Sequence, residues 1–314
     1  MFFADLHCDT ITMLECKGEV LRKNDLAIDI KRLQNYNAPL QSFAIWHNYA
    51  KINNPFEKTV KSINFYHEQV ALNNAHIAHI NNYTEFLENF KSYKISSFLT
   101  VEGMEAIEDN IENIQKLYDL GVRGMGLTWN NNNSIGSSCY SNAYGLTTFG
   151  LDVVNEMARL GILVDVSHLS KKAIVDVAEK TNGIIYASHS NAYDVLNHKR
   201  NLSDEELKII ADKNGVVGLN LYLPFITNIL NENLSKNEFE LAFLKHIEHI
   251  INVTNENIVA LGTDFDGGED FFKKANDVSD LEYLYSLVKD EFSQEIADKM
   301  FGDNFLSLLK SASI

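Results

Sequence analysis

What most constrains this chain is a regular alternation. Short β-branched or apolar runs that end in polar residues occur at Phe2–Cys8, Ser42–His47, Ile95–Glu102, Val122–Trp129, Gly161–His168, Gly183–His189, Gly215–Tyr222 and Ile258–Asp264. Between them lie stretches of helical periodicity: Leu26–Tyr36, Phe56–Asn89, Asn110–Leu120, Thr148–Leu160, Lys171–Lys180, Asp204–Asp212 and Glu238–Thr254. Eight such units average about 39 residues each, enough for a strand, a crossover helix and two loops. The pattern predicts an α/β fold of the (β/α)8, TIM-barrel type.

Local signals agree. Ser170 precedes Lys171 where a helix should start, and Ser203-Asp-Glu-Glu206 reads as a capping box. Gly121 and Gly161 follow helical patterns at C-cap positions. With only 3 Pro and 16 Gly there is no Pro/Gly-rich linker, so residues 1–314 are expected to form a single domain. Beyond about residue 270 the pattern predicts closing helices at Leu281–Lys289 and Gln294–Leu309. The polar segment Asn130–Gly145 is long for a βα connection and is expected to be a mobile active-site loop.

Composition removes several classes of function. Apolar residues make up 45% of the chain, ample for one large core. The net charge of −16 repels phosphate backbones and anionic headgroups, which argues against nucleic-acid or membrane partners. Cys8, Cys16 and Cys139 make no paired framework and no CxxC, which fits a reducing compartment. There is no apolar run of membrane-spanning length and no basic, then apolar, leader at Met1-Phe-Phe-Ala-Asp5, so a cytoplasmic location is expected.

In such a barrel the chemistry gathers at the C-terminal ends of the strands. Those ends carry His7 and Asp9, His47, Glu102, Trp129, His168, His189, Tyr222 and Asp264. His7 and Asp9 are two apart, hence on one face of an extended segment, and both can reach one ion. His168 and His189 end adjacent strands about 4.8 Å apart, close enough to share a second ion. Glu102, pointing into the mouth, could bridge the two. A cation pair about 3.5–4 Å apart would bring a bound water towards neutral pKa, and Asp264 beside it could accept the proton.

Other polar groups have simpler readings. His246 with His249, and His76 with His79, stand at i,i+3 on segments read as outer helices, away from the strand ends. His47 has no partner motif and reads as structural or as a support for a ligand. Asp266 is expected just outside its strand, and Asp-Phe-Asp-Gly-Gly could instead be a plain turn. A phosphate cradle there gains nothing from a Gly-x-x-x-x-Gly-Lys or Gly-x-Gly-x-x-Gly, and no Gly-x-Ser-x-Gly supports a serine hydrolase.

Taken in order, His7-x-Asp9, Glu102-Gly103, Ser167-His168, Ser188-His189, Arg200-Asn201 and Asp264-Phe-Asp-Gly267 resemble the membrane dipeptidase (renal dipeptidase) family of zinc peptidases, from residue 5 to about 268. The resemblance implies two Zn2+ ions, one on His7 and Asp9 and the other on His168 and His189, with Glu102 bridging. It implies further that a metal-bridging hydroxide attacks the peptide bond, that Asp264 is the acid/base, that Arg200 clamps the free carboxylate of a dipeptide, and that Tyr222 contacts substrate. C-terminal D-residues and a homodimer also follow from the resemblance alone. One position departs from the family: a His expected after Leu127-Thr128 is replaced by Trp129, followed by Asn130, which could supply the missing substrate contact.

Three other readings stand beside this one. A related metal-dependent amidohydrolase acting on a lactam, cyclic amide or N-acyl amino acid would use the same ions without needing Arg200. An inactive binding module would keep the barrel and lose turnover. A phosphate-binding isomerase is the most distant.

Overall fold

The computed structural model describes residues 1–141 and 143–312, so Asn142 of the Asn130–Gly145 segment and the last two residues of the expected 1–314 domain lie outside it. The apolar runs become the strands β1 (Ala4–Asp5), β2 (Leu40–Trp46), β3 (Ile77–His79), β4 (Ile95–Glu102), β5 (Val122–Gly126), β6 (Leu163–Asp165), β7 (Ile185–Tyr186), β8 (Val217–Leu219) and β9 (Val259–Leu261). Every pairing is parallel, in the order β7-β6-β5-β4-β2-β1-β9-β8. Ala187 N donates to Val216 O at 2.9 Å and Gly218 N to Ala187 O at 2.8 Å, which brings β7 against β8 and closes the ring. The result is the expected (β/α)8 barrel.

Several expectations need correction. The strands stop earlier than the apolar runs: β6, β7 and β9 end at Asp165, Tyr186 and Leu261, so His168, His189 and Asp264 project from the loops just above. Cradling a common centre requires the backbone to turn there, and His168 and Asp264 adopt φ of +66° and +60°. The single helix expected over Phe56–Asn89 is instead a helix Pro55–Leu72, the extra strand β3 along the lower part of β4, and a helix Tyr83–Lys91. Asparagines make both breaks: Asn73 follows the first helix, and Asn82 Oδ1 caps the next by accepting from Glu85 N at 2.9 Å. The helix expected at Leu26–Tyr36 shrinks to Ile30–Leu33.

Helices with strong caps match to the residue. Thr148–Leu160 starts under Thr147 Oγ1, which accepts from Gly150 N, and ends at Gly161 in the left-handed region. Lys171–Lys180 is capped by Ser170, and Asp204–Asp212 opens on the Ser203/Glu206 capping box.

The barrel's N-terminal end is sealed from below. Leu6, Phe98, Leu163 and Tyr186 pack against Phe305, Leu308 and Leu309 of the helix Asn304–Ser311, with the Phe98 and Phe305 rings edge to face at 5.9 Å. Each such buried side chain contributes about 1.5–3 kcal/mol. The first closing helix runs Leu281–Glu291. The second, expected as Gln294–Leu309, is interrupted by a π turn at Lys299–Asp303, where Gly302 lies so close under the Phe2 ring that a Cβ would collide with it. Among the described residues no helix is long and apolar enough to cross a membrane.

Candidate metal and catalytic centre

Two buried carboxylates inside the barrel hold the loops that build the site. Asp5, at the end of β1, accepts from Gln41 Nε2 at 2.8 Å, from Thr263 N at 2.9 Å and from Thr263 Oγ1 at 2.8 Å, which ties the His7 turn to the Asp264 turn. Burial pushes its carboxyl up to about 6, against these hydrogen bonds. Asp165, at the end of β6, accepts from Ser167 N and Ser188 N, both at 2.9 Å, and from Ser188 Oγ at 2.5 Å. It therefore joins the His168 turn to the His189 turn. Gly218 and Gly262 lie directly beneath the Ser188 carbonyl, where any Cβ would clash.

Five side chains from four parts of the chain meet above this frame. His7 Nε2 is 3.5 Å from Asp9 Oδ2 and 3.5 Å from Glu102 Oε2, while Glu102 Oε1 is 2.8 Å from His168 Nε2 and 3.7 Å from His189 Nε2. His168 Nε2 and His189 Nε2 are 3.0 Å apart. Donor atoms of His7, Glu102 and His189, and of His7, Asp9 and Asp264, form two clusters compact enough to hold a cation. Asp264 Oδ1 is 3.9 Å from His7 Nε2, and its Oδ2 accepts from Asn220 Nδ2 at 2.8 Å.

Hydrogen bonds on the far side of each ring decide where the imidazole protons sit. His168 Nδ1 donates to Asn130 Oδ1 at 2.8 Å, and His189 Nδ1 donates to Ser188 Oγ at 2.6 Å, whose own hydrogen goes to Asp165. Both Nε2 atoms are then left as lone pairs facing one another. Buried His7 Nε2, Asp9 Oδ1 and Glu102 Oε1 have no hydrogen-bond partner among the described residues. Gly267 borders the same space, since a Cβ there would run into the Asp264 and Asp9 carboxylates.

The electrostatics ask for positive charge. Burial opposes a charged His7, yet Asp9, Glu102 and Asp264 outweigh it and raise its pKa to about 10. Burial lifts Glu102 well above the usual carboxylate range, with His7 opposing and Asp9 and Asp264 adding. Asp264 is raised to about 6 by burial, against His7 and Asn220. His168 and His189 are held well below the ordinary imidazole value by burial, with Arg200 and His7 contributing.

A cavity of about 330 Å³ opens over the centre, walled by Trp46, Trp129, Asn130, Tyr140, His198, Tyr222 and Phe225. Tyr222 is thus brought to the cavity wall, although β8 ends three residues before it. Asn130 borders the cavity while its amide oxygen is engaged by His168. Trp129 packs against Trp46 with ring centroids 4.9 Å apart and planes inclined at 57°. Arg200 is 2% exposed; its Nη2 donates to His189 O at 3.0 Å, its Nη1 to Ser190 Oγ at 3.4 Å, and its guanidinium lies 5.4 Å from the Phe225 ring.

The remaining polar groups are engaged elsewhere. His47 Nε2 meets Ser62 Oγ at 2.9 Å. Asp266 accepts from Thr10 Oγ1 and Ala27 N, a tie between loops. His246 is buried on the helix Lys236–Val253, and His249 pairs with Asp204. His79 lies in β3, not on a helix as expected, and bonds Tyr66; His76 pairs with Gln34. Sequence reading gave no role to Asp165, Ser188 or Asn220. The one available signal was an acid in the midst of Leu163-Val-Asp-Val166.

The sequence profile of the membrane dipeptidase family (peptidase family M19) matches residues 1–313. The chain belongs to this family. Among its relatives, an uncharacterised Klebsiella pneumoniae protein is 32% identical over 219 residues, covering 67% of this chain and 80% of that protein. An uncharacterised dipeptidase of Schizosaccharomyces pombe is 31% identical over 228 residues, covering 70% of this chain but only 54% of that protein's length. Among solved structures, a Rhodobacter sphaeroides metallo peptidase liganded with a phosphinate mimic of L-Ala-D-Ala superposes with a TM-score of 0.86 at 22% identity, over 99% of both chains. At that identity the family's structures share the barrel with this chain, and the chemistry rests on its own side chains.

Proposed function

We propose that this chain is a dipeptidase whose single barrel domain holds two zinc ions, one on His7 and Asp9, the other on His168 and His189, with Glu102 shared. The observation that carries the reading is the pair of imidazole lone pairs facing each other 3.0 Å apart, beside a carboxylate oxygen 2.8 Å from one of them. A cation satisfies all three atoms at once; the alternative, one proton on His168 Nε2 shared between Glu102 and His189, is opposed by the burial that keeps this imidazole neutral. Imidazole and carboxylate donors suit zinc. Two zinc ions bound there would bring a shared water's pKa towards about 7 and polarise the scissile carbonyl.

The chain's own groups supply the rest. Asp264, fixed through Oδ2 by Asn220, presents Oδ1 to take the proton of the attacking water and pass it to the departing amine. Arg200 pairs with the free carboxylate of the dipeptide, orienting the peptide bond over the centre. Tyr222 and Asn130 contact substrate from the cavity wall, and the Trp46–Trp129 pair keeps water from that side. Substrates with a C-terminal D-residue are included in the proposal, supported by the L-Ala-D-Ala mimic held by the Rhodobacter relative.

The test is hydrolysis of a dipeptide panel with L and D C-terminal residues, before and after chelation and again after zinc is restored. Turnover that disappears and returns with zinc is the expected result. Absence of turnover of every dipeptide by zinc-loaded protein would end the peptidase reading.

A further inference from the structure

Ser188 stands where one hydroxyl meets both sets of metal-binding side chains. Its Oγ lies 2.5 Å from Asp165 Oδ2, 2.6 Å from His189 Nδ1 and 3.4 Å from His7 Nδ1. A fourth neighbour, Ser167 Oγ, accepts from His189 N at 3.1 Å and keeps its own hydrogen, which reaches Ser188 Oγ only at 3.4 Å. A serine hydroxyl has one hydrogen to give and two lone pairs. Asp165 can only accept, so it takes the hydrogen; the lone pairs are left for His189 Nδ1–H, strongly, and His7 Nδ1–H, at longer range.

We propose that Asp165 and Ser188 are positioning residues that set hydrogen-bond polarity, holding the His189 and His7 protons on Nδ1 so that both Nε2 lone pairs face the cations. This rests on the zinc reading above and adds a role for two residues that would themselves touch neither metal nor substrate. Partners of this kind typically change metal affinity by about 10- to 100-fold.

The polarity makes an unusual forecast for Asp165→Asn. The oxygen that accepts from Ser167 N and Ser188 N must stay an oxygen, because both of those groups only donate. The new amide nitrogen therefore falls opposite Ser188 Oγ and donates to it. The serine hydrogen, displaced from residue 165, then has His189 Nδ1 at 2.6 Å as its nearest acceptor, against 3.4 Å for His7 Nδ1 and Ser167 Oγ, and this moves the imidazole proton to Nε2, against the cation. Ser188→Ala merely removes the relay, and in the double variant no hydroxyl is left to transmit the reversal.

The experiment measures zinc affinity of the full-length protein by competition with a chromophoric chelator, alongside the unfolding midpoint of each zinc-free variant. Expected are a loss of about tenfold in Ser188→Ala, a further loss of about tenfold or more in Asp165→Asn, and a double variant that returns to the Ser188→Ala level. Asp165→Asn binding as tightly as Ser188→Ala, or a double variant weaker than Asp165→Asn, would overturn the proposal. If Asp165→Asn does not fold, Ser188→Thr decides: retention of parental affinity supports the relay, and a loss equal to that of Ser188→Ala refutes it. A parent protein that binds no zinc defeats the functional reading itself, whereas a zinc-binding parent with unaltered variants defeats only this inference.

Discussion

Asn220 Nδ2 donates to Asp264 Oδ2 at 2.8 Å, leaving Oδ1 as the carboxylate oxygen turned toward His7 and the centre. One oxygen is held and the other is free to exchange a proton. Asp264→Asn should lower kcat by about 10²- to 10⁴-fold, the usual worth of a positioned acid/base, with bound zinc unchanged. Retained turnover would remove Asp264 from the proton path. Asn220→Ala, which frees the carboxylate without removing it, should cost less, about tenfold.

Glu102 reaches His7 with one oxygen and His168 and His189 with the other. Glu102→Gln replaces one of those oxygens by an NH2 group, which has no lone pair to offer a cation. Metal analysis after dialysis should find at most one zinc per chain, and a stoichiometry still at two would show that Glu102 does not bridge.

Arg200 is nearly inaccessible and its Nε has no partner among the described residues. Charge-assisted pairing with a substrate carboxylate is worth about 1.5–3 kcal/mol, so Arg200→Ala should reduce kcat/KM for free dipeptides by about 10- to 100-fold. Substrates whose C-terminus is amidated should be unaffected. Equal losses on both would point instead to the alternative amidohydrolase chemistry, with Arg200 serving only to brace His189.

His246 accepts from Ala192 N at 3.1 Å through Nδ1 and donates through Nε2 to Ile226 O at 3.2 Å, a neutral ring with no place for a second proton. Burial holds its pKa down to about 4, from an ordinary 6.5. Because the unfolded chain takes up the proton first, the ring's contribution is complete above pH 6.5. It declines as pH falls from 6.5 towards 4, by about 2 kcal/mol at pH 5. Urea unfolding at pH 7 and pH 5 should therefore show a smaller difference in His246→Gln than in the parent. An identical difference would contradict the assignment.

Sequence reading succeeded where one residue carries a local rule. Ser170, Ser203 with Glu206, and Gly161 each state a helix end in the adjacent chain, and those helices match their expected bounds. It failed at β3, because the six residues between two asparagine pairs, of which Ile77–His79 form the strand, continue the phase of a helix by accident. At the site, His7, Asp9, Glu102, His168, His189 and Asp264 were legible because each ends or follows an apolar run. Asp165 and Ser188 were not, since their roles depend on a contact between neighbouring turns that only the closed ring creates.

Closure of that ring sets a timetable for the chain. Strand β1 bonds β2 on one side and β9 on the other, and Thr263, which ties down Asp5, lies 258 residues later. During synthesis the earliest strand therefore waits with one edge bare until those 258 further residues have left the ribosome. Such a barrel closes in one late step and not strand by strand, and a nascent product stalled before β9 would be an aggregation hazard.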